Sequence, residues 1–190
     1  MRITTERLTL EPISLEHLKA TYRYSSDLEN TRLLMFLPYD SIEETEDYIR
    51  QCMEMWGSDA PEFLEFAVMR AEKHIGRVTL YLLDMGLGEL GWILDKRYWG
   101  NGYAAEAVRA VMDYGRRERG IKRFIAMCDS ENAASYSLME RLGMRFVGRT
   151  GGRKNRSMDG ERQELTYGTT AQYGGTSGGA FSAIHLMQLF

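Results

Sequence analysis

The chain has 190 residues, with 24 Lys and Arg against 27 Asp and Glu, a formal net charge of -3 and 44% hydrophobic residues. That length sets an expectation of one domain with a true core, and so balanced a charge excludes a basic nucleic-acid coat protein and predicts no direct nucleic-acid binding. No Asp, Glu, Lys or Arg follows Glu164, so a charged body precedes an uncharged, glycine-rich tail.

Cys52 and Cys128 have no CxxC spacing, and the opening MRITTERL is polar rather than leader-like. The expectation is a reduced, cytoplasmic setting. No apolar run approaches the roughly 20 residues of a bilayer crossing, so a soluble chain without a membrane partner is expected.

A short strand is predicted over Arg7 to Pro12, followed by a helix with Ser14 as N-cap and Leu15, Leu18 and Tyr22 on one face. Ser41 and Glu44 form a capping box for a second helix carrying Ile42, Ile49, Cys52, Met53 and Trp56 on one face. Its first turns hold Glu43, Glu44, Glu46 and Asp47, which read either as a solvated, dipole-favoured face or as an acidic lip for a cationic substrate. Alternation at Leu64, Phe66 and Val68, and again at Val78, Leu80 and Leu82, predicts a hairpin turning near Glu72 to His74. Leu90 to Leu94 reads as a further, largely buried strand. A long helix follows Gly100 and Gly102, with Ala104, Ala107, Val108, Val111 and Met112 packing inward and Gly120 ending it.

Phe124 to Cys128 is a central-strand candidate. Asn132 opens a shorter helix ending at Gly143, and strands near Met144 to Arg149 and Arg162 to Tyr167 flank the basic, glycine-rich loop Gly151 to Gly160. The order β-α-α-β-β-β-α-β-α-β-β predicts a mixed sheet with packed helices.

The densest chemical signal is LDKRYWGNGYAA, Leu94 to Ala105, at a strand-to-helix junction. Two glycines ahead of a helix allow close backbone approach to a ligand, and the free N–H groups of the first turn favour phosphate. Gly100, Gly102 and Ala105 also satisfy the GxGxxG/A dinucleotide pattern, but this one lies mid-chain after hairpin-like strands, and its next strand ends late, at Cys128-Asp129. A nicotinamide oxidoreductase is therefore a distant reading.

Arg97-x-x-Gly100-x-Gly102 resembles the (Q/R)xxGx(G/A) pyrophosphate loop of the GNAT superfamily of acetyl-CoA-dependent N-acetyltransferases. TERLTLEP (Thr5 to Pro12), GWILDKRYWGNGYAAEAV (Gly91 to Val108) and NAASYSLMERLGM (Asn132 to Met144) extend the resemblance over about residues 3 to 167. Their text is similar to the branch that acetylates ribosomal-protein N-termini and to its small-molecule and antibiotic-modifying relatives.

The resemblance implies the α+β, three-layer GNAT fold: a mixed, mostly antiparallel sheet with helices on both faces and a splayed, V-shaped cleft. It implies that the main chain of Trp92, Ile93 and Leu94 pairs with the pantetheine arm of acetyl-CoA. Backbone groups of Arg97, Tyr98, Trp99, Gly100, Asn101, Gly102, Tyr103 and Ala104 would hold the pyrophosphate. Asn132 matches the asparagine that contacts the arm, and Ser135 the serine of the branch's NxxS motif; read alone, Asn132 is equally an N-cap and Ser135 a first-turn polar residue. Trp99 and Tyr103 wall the cleft or simply pack. Met35, Phe36 and Leu37 fall where acceptors often bind in this family, or belong to the core.

Direct attack of an amine on the thioester is expected, with the Leu94 N–H polarising the carbonyl. The positions of two standard players, a Glu five residues before the Asn and a Tyr seven after it, hold Met127 and Met139. Ser135 remains the candidate catalytic proton donor, with Tyr136 a weaker substitute. The base is then water or a carboxylate such as Glu161 or Glu164. The expected acceptor is a primary amine, either a protein N-terminus or a small amine, handled by a monomer or homodimer. A CoA-binding module without catalysis is the alternative.

His17, His74 and His185 match no triad or metal spacing, and no metal is expected. The domain is expected to span 1–168, with 169–190 an extension made of a flexible linker and the apolar segment FSAIHLMQLF.

Overall fold

A computed structural model describes residues 1–35, 37–156 and 160–169. Phe36, His185 and the tail from 170 onward lie outside the described residues. The strands are β1 (Ile3–Thr4), β2 (Thr9–Pro12), β3 (Phe63–Arg70), β4 (Lys73–Leu83), β5 (Leu87–Leu94), β6 (Arg123–Asp129), β7 (Met144–Arg153) and β8 (Arg162–Thr169). The helices are α1 (Leu18–Ser25), α2 (Leu28–Thr31), α3 (Ile42–Gly57), α4 (Tyr103–Glu118) and α5 (Ala133–Arg141).

One sheet has the order β1-β2-β3-β4-β5-β6-β8-β7, and its only parallel pair among the described strands is β5 with β6. Leu64, Phe66 and Val68 of β3 face the main core with Ala107, Val108, Val111 and Met112 of α4 and Leu138 and Met139 of α5. The opposite face packs Ala67 against Ile49 and Cys52 of α3, and Ile93 against Tyr24 of α1 and Leu37. Period-two alternation in the strands and the 3.6-residue stripe of the helices sort apolar residues to the two faces. Ser41 Oγ accepts from Glu44 N–H at 3.1 Å, which caps α3 as expected.

The β5–β6 pairing positions the site. Leu87 to Leu90 pair with Arg123 to Ala126, and there the pairing stops. Gly91 to Leu94 stay with β4, while Met127 to Asp129 stay with β8. The two strands part beyond Leu90 and leave a V-shaped opening in the middle of the sheet.

Two short elements escaped the sequence reading, β1 and α2. A two-residue strand and a four-residue helix are too brief for a period to register. The hairpin turn is tighter than expected, with Lys73 and His74 already in β4, and β8 continues to Thr169, whose Oγ1 accepts from Phe124 N–H at 3.0 Å.

Candidate active site

The sides of the V are backbone. Asp95 N–H donates to the Ile75 carbonyl at 2.9 Å, which assigns the odd-numbered residues of β5 to the β4 ladder. By the alternation of an antiparallel ladder, Trp92 and Leu94 turn their N–H and C=O groups into the opening. The Leu94 carbonyl is occupied there by the Trp99 indole N–H at 2.9 Å and by Asn30 Nδ2 at 3.0 Å. An extended chain entering the V would therefore meet Trp92 N–H, Trp92 C=O and Leu94 N–H, and these two side chains close the far end.

The loop that follows divides into spent and free amides. Asp95 Oδ1 accepts from Arg97 N–H at 3.0 Å, Tyr98 N–H donates to Asp95 O at 2.9 Å, and Trp99 N–H donates to Lys96 O at 3.2 Å. The Arg97 guanidinium is also committed, with Nη2 donating to Asp95 Oδ2 at 2.6 Å. Burial works against the charge of Asp95, but bonds from Arg97 and Arg23 outweigh it and hold the carboxyl below its usual range. From Gly100 to Ala105 no backbone N–H has a partner among the described residues. Gly100 and Gly102 have φ of 76° and 78°, a left-handed backbone that costs a side-chain-bearing residue about 1–2 kcal/mol. Those turns and the α4 N-terminus form a concave group of donors suited to phosphate.

The N-terminal segment braces this loop. Glu106, in the first turn of α4, accepts from Thr5 Oγ1 at 2.6 Å and from Arg7 N–H at 2.9 Å, while Arg7 Nη1 donates to the Asn101 carbonyl at 3.1 Å.

A cavity of about 450 Å³ adjoins the V, lined in part by Trp92, Ile93, Asn132 and Ser135. Asn132 Oδ1 accepts from Ser135 N–H at 3.1 Å, so it is the cap of α5, and its amide NH₂ has no other partner among the described residues. Capping and ligand contact are compatible, because they use different ends of one amide. Cys128 also lines the cavity, and burial pushes its thiol up to about 11, so it is a protonated thiol rather than a nucleophile at neutral pH.

The opposite wall comes from α3, β4, β5 and β8. Glu65 is fully buried beneath it: Tyr48 Oη and Thr79 Oγ1 each donate to its Oε2 at 2.7 Å, and Arg77 Nε lies 3.4 Å from its Oε1. The Arg77 guanidinium stacks over the Tyr48 ring at 4.6 Å. This network fixes the floor on which Tyr48, Arg77 and Thr79 face the cavity.

Glu89 is the residue the sequence reading missed. It stands beside Leu90, the last residue of the parallel pairing, and opposite Tyr81 on β4, so its side chain lies at the apex of the V and lines the cavity. Burial first, and the nearby Glu164 charge second, push its carboxyl up to about 7. A carboxyl at that value, without an ion pair or hydrogen bond among the described residues, can take up or release a proton near neutrality.

Residues 7–145 match the acetyltransferase (GNAT) domain family. The chain belongs to the GNAT acetyltransferases. It is 32% identical over 150 residues to the uncharacterized N-acetyltransferase YnaD of Bacillus subtilis, covering 78% of this chain and 85% of that one. A solved GNAT acetyltransferase from Bacillus anthracis superposes with a TM-score of 0.72 at 26% identity, over 88% of this chain and 97% of the other. The RimL ribosomal L7/L12 alpha-N-protein acetyltransferase in complex with coenzyme A shares the fold, with a TM-score of 0.73 at 16% identity, over 88% of this chain and 97% of its own.

In this GNAT enzyme the α+β fold with helices on both faces agrees with the sequence expectation, and Trp92, Ile93, Asn132 and Ser135 converge on one cavity. Other expected groups lie elsewhere. Tyr103 is buried in the main core beneath the Arg7 guanidinium, and Trp99 is half exposed and ties down the Leu94 carbonyl. Tyr136 packs against the core, Met139 is fully buried in it, and Glu161 is exposed and paired with Lys154 at 3.6 Å. Glu164 does face the cavity, paired with Arg153. Met35 and Leu37 line the cavity as well. His17 and His74 stack edge-on at 4.8 Å, and burial drives His74 down to about 3, so that ring stays neutral in the fold.

Proposed function

We propose that this acetyltransferase moves the acetyl group of acetyl-CoA to a primary amine by direct attack in a ternary complex, in a cytoplasmic setting. The observation that carries the reading is the Glu89 carboxyl at the apex of the V, next to unpaired β5 backbone. The amides of Gly100 to Ala105 hold the pyrophosphate, a shorter span than the expected Arg97 to Ala104. The pantetheine arm pairs with Trp92 and Leu94 and meets the Asn132 amide NH₂. Trp92, nearer the apex than Leu94, donates its N–H to the thioester oxygen as it becomes an oxyanion.

The amine nitrogen bonds to the thioester carbon while its proton passes to Glu89. The C–S bond then breaks, and the departing thiolate takes a proton relayed through the Ser135 hydroxyl. With Glu89 as the base that Met127 cannot be and Ser135 as the proton donor that Met139 cannot be, catalysis is favoured over a CoA-binding module without it. The resemblance to ribosomal-protein N-terminal acetyltransferases leaves a protein N-terminus and a small amine both within this class. The domain through Thr169, the last residue of β8, carries the function, and the residues after it are an extension outside it.

Calorimetry with CoA, paired with thiol release from acetyl-CoA over an amine panel, tests this. CoA binding together with turnover on an amine is expected. No binding at millimolar CoA would overturn the reading.

A further inference from the structure

The charges lining the cavity are unequally matched. Arg77 is paired with the buried Glu65, Arg153 with Glu164, and Arg156 with Glu44 and, at 2.7 Å, with Asp40. Every arginine of the lining is thus committed to a carboxylate. Two carboxylates of the same lining, Glu89 and Asp47, have no cationic partner among the described residues.

They come from different elements. Glu89 projects from the sheet at the apex of the V, partly buried and without a polar partner among the described residues, while Asp47 stands exposed on the second turn of α3. Tyr39 and Tyr48, whose rings meet at 5.8 Å, and Tyr81 add aromatic faces to the wall. Carboxylates set among tyrosine rings favour an ammonium ion, through charge and through the negative faces of the rings.

Resting on the acetyl-transfer reading above, we infer that the acceptor is a flexible amine with a second cationic group, the reacting nitrogen at Glu89 and the second ammonium at Asp47. A monoamine leaves Asp47 unmatched. An acceptor ending in a carboxylate brings a further negative charge to a wall whose arginines are already paired.

The test uses three acceptors of similar length with acetyl-CoA and the full chain: the terminal diaminopentane, hexylamine and the ω-aminopentanoate. The diamine is expected to show the highest kcat/KM, about tenfold or more above hexylamine, with the aminopentanoate lowest. Asp47→Asn should collapse the ratio of diamine to hexylamine through KM. Glu43→Gln, an exposed acid in the first turn of α3 outside the lining, should leave that ratio in place. Equal use of diamine and hexylamine, a preference for the aminopentanoate, or an equal loss in Glu43→Gln would overturn the inference while acetyl transfer stands. Absence of turnover on any amine, with CoA bound, would overturn both.

Discussion

The two ends of the cleft are made of different material. The donor end is almost entirely main chain: the unpaired edge of β5, two left-handed glycines and the first turn of α4. The acceptor end is almost entirely side chain, assembled from α3, β4, β5, β8 and the segment before α3. A backbone site recognises what all acetyl donors share and is recorded in a local string. A side-chain site recognises what is particular to an acceptor, and its members are scattered along the chain, from Tyr39 to Glu164.

The difference can be broken from either end. The largest effect is expected from Glu89→Gln, which keeps the shape and removes the base: kcat/KM should fall about a hundredfold or more, with CoA affinity unchanged by calorimetry. Asn132→Ala should act on the donor side. CoA binding should weaken about tenfold, and denaturant melts should show a loss of about 1 kcal/mol from the missing cap of α5. Arg97→Ala should do least, because its guanidinium is tied to Asp95. A change in CoA affinity of less than about threefold is expected, against the larger loss that a direct pyrophosphate contact would give.

This contrast also explains what could be read in advance. RYWGNGYAA shows a turn with free amides because glycine spacing and helix onset are local, and Asn132 and Ser135, which line the cavity, stand out in the text for the same reason. Text does not show that the Arg97 and Tyr98 amides bond to Asp95 and the Trp99 amide to Lys96, which leaves the free amides to begin at Gly100. Glu89 was passed over inside LGELGWIL, and Glu65 inside FLEFAVMR, because both strands read as apolar runs. A lone carboxylate inside such a run was the available signal. Burying one is expensive without a partner or a purpose, and here Glu65 has the partners while Glu89 has none among the described residues, which is what recommends it as the proposed base. Which acids of α3 face the cavity required the fold: Glu44 and Asp47 line it, and Glu43 and Glu46 do not.

The pH dependence of kcat/KM, with an acceptor whose amine titrates well above neutrality, tests the role of Glu89 most directly. Its carboxyl is raised to about 7, so the base form is lost as pH falls below that value. Turnover by the native enzyme should rise with pH through an inflection near 7, and Glu89→Gln should lose both the inflection and most of the rate. The same inflection in Glu89→Gln at near-native turnover would contradict the assignment.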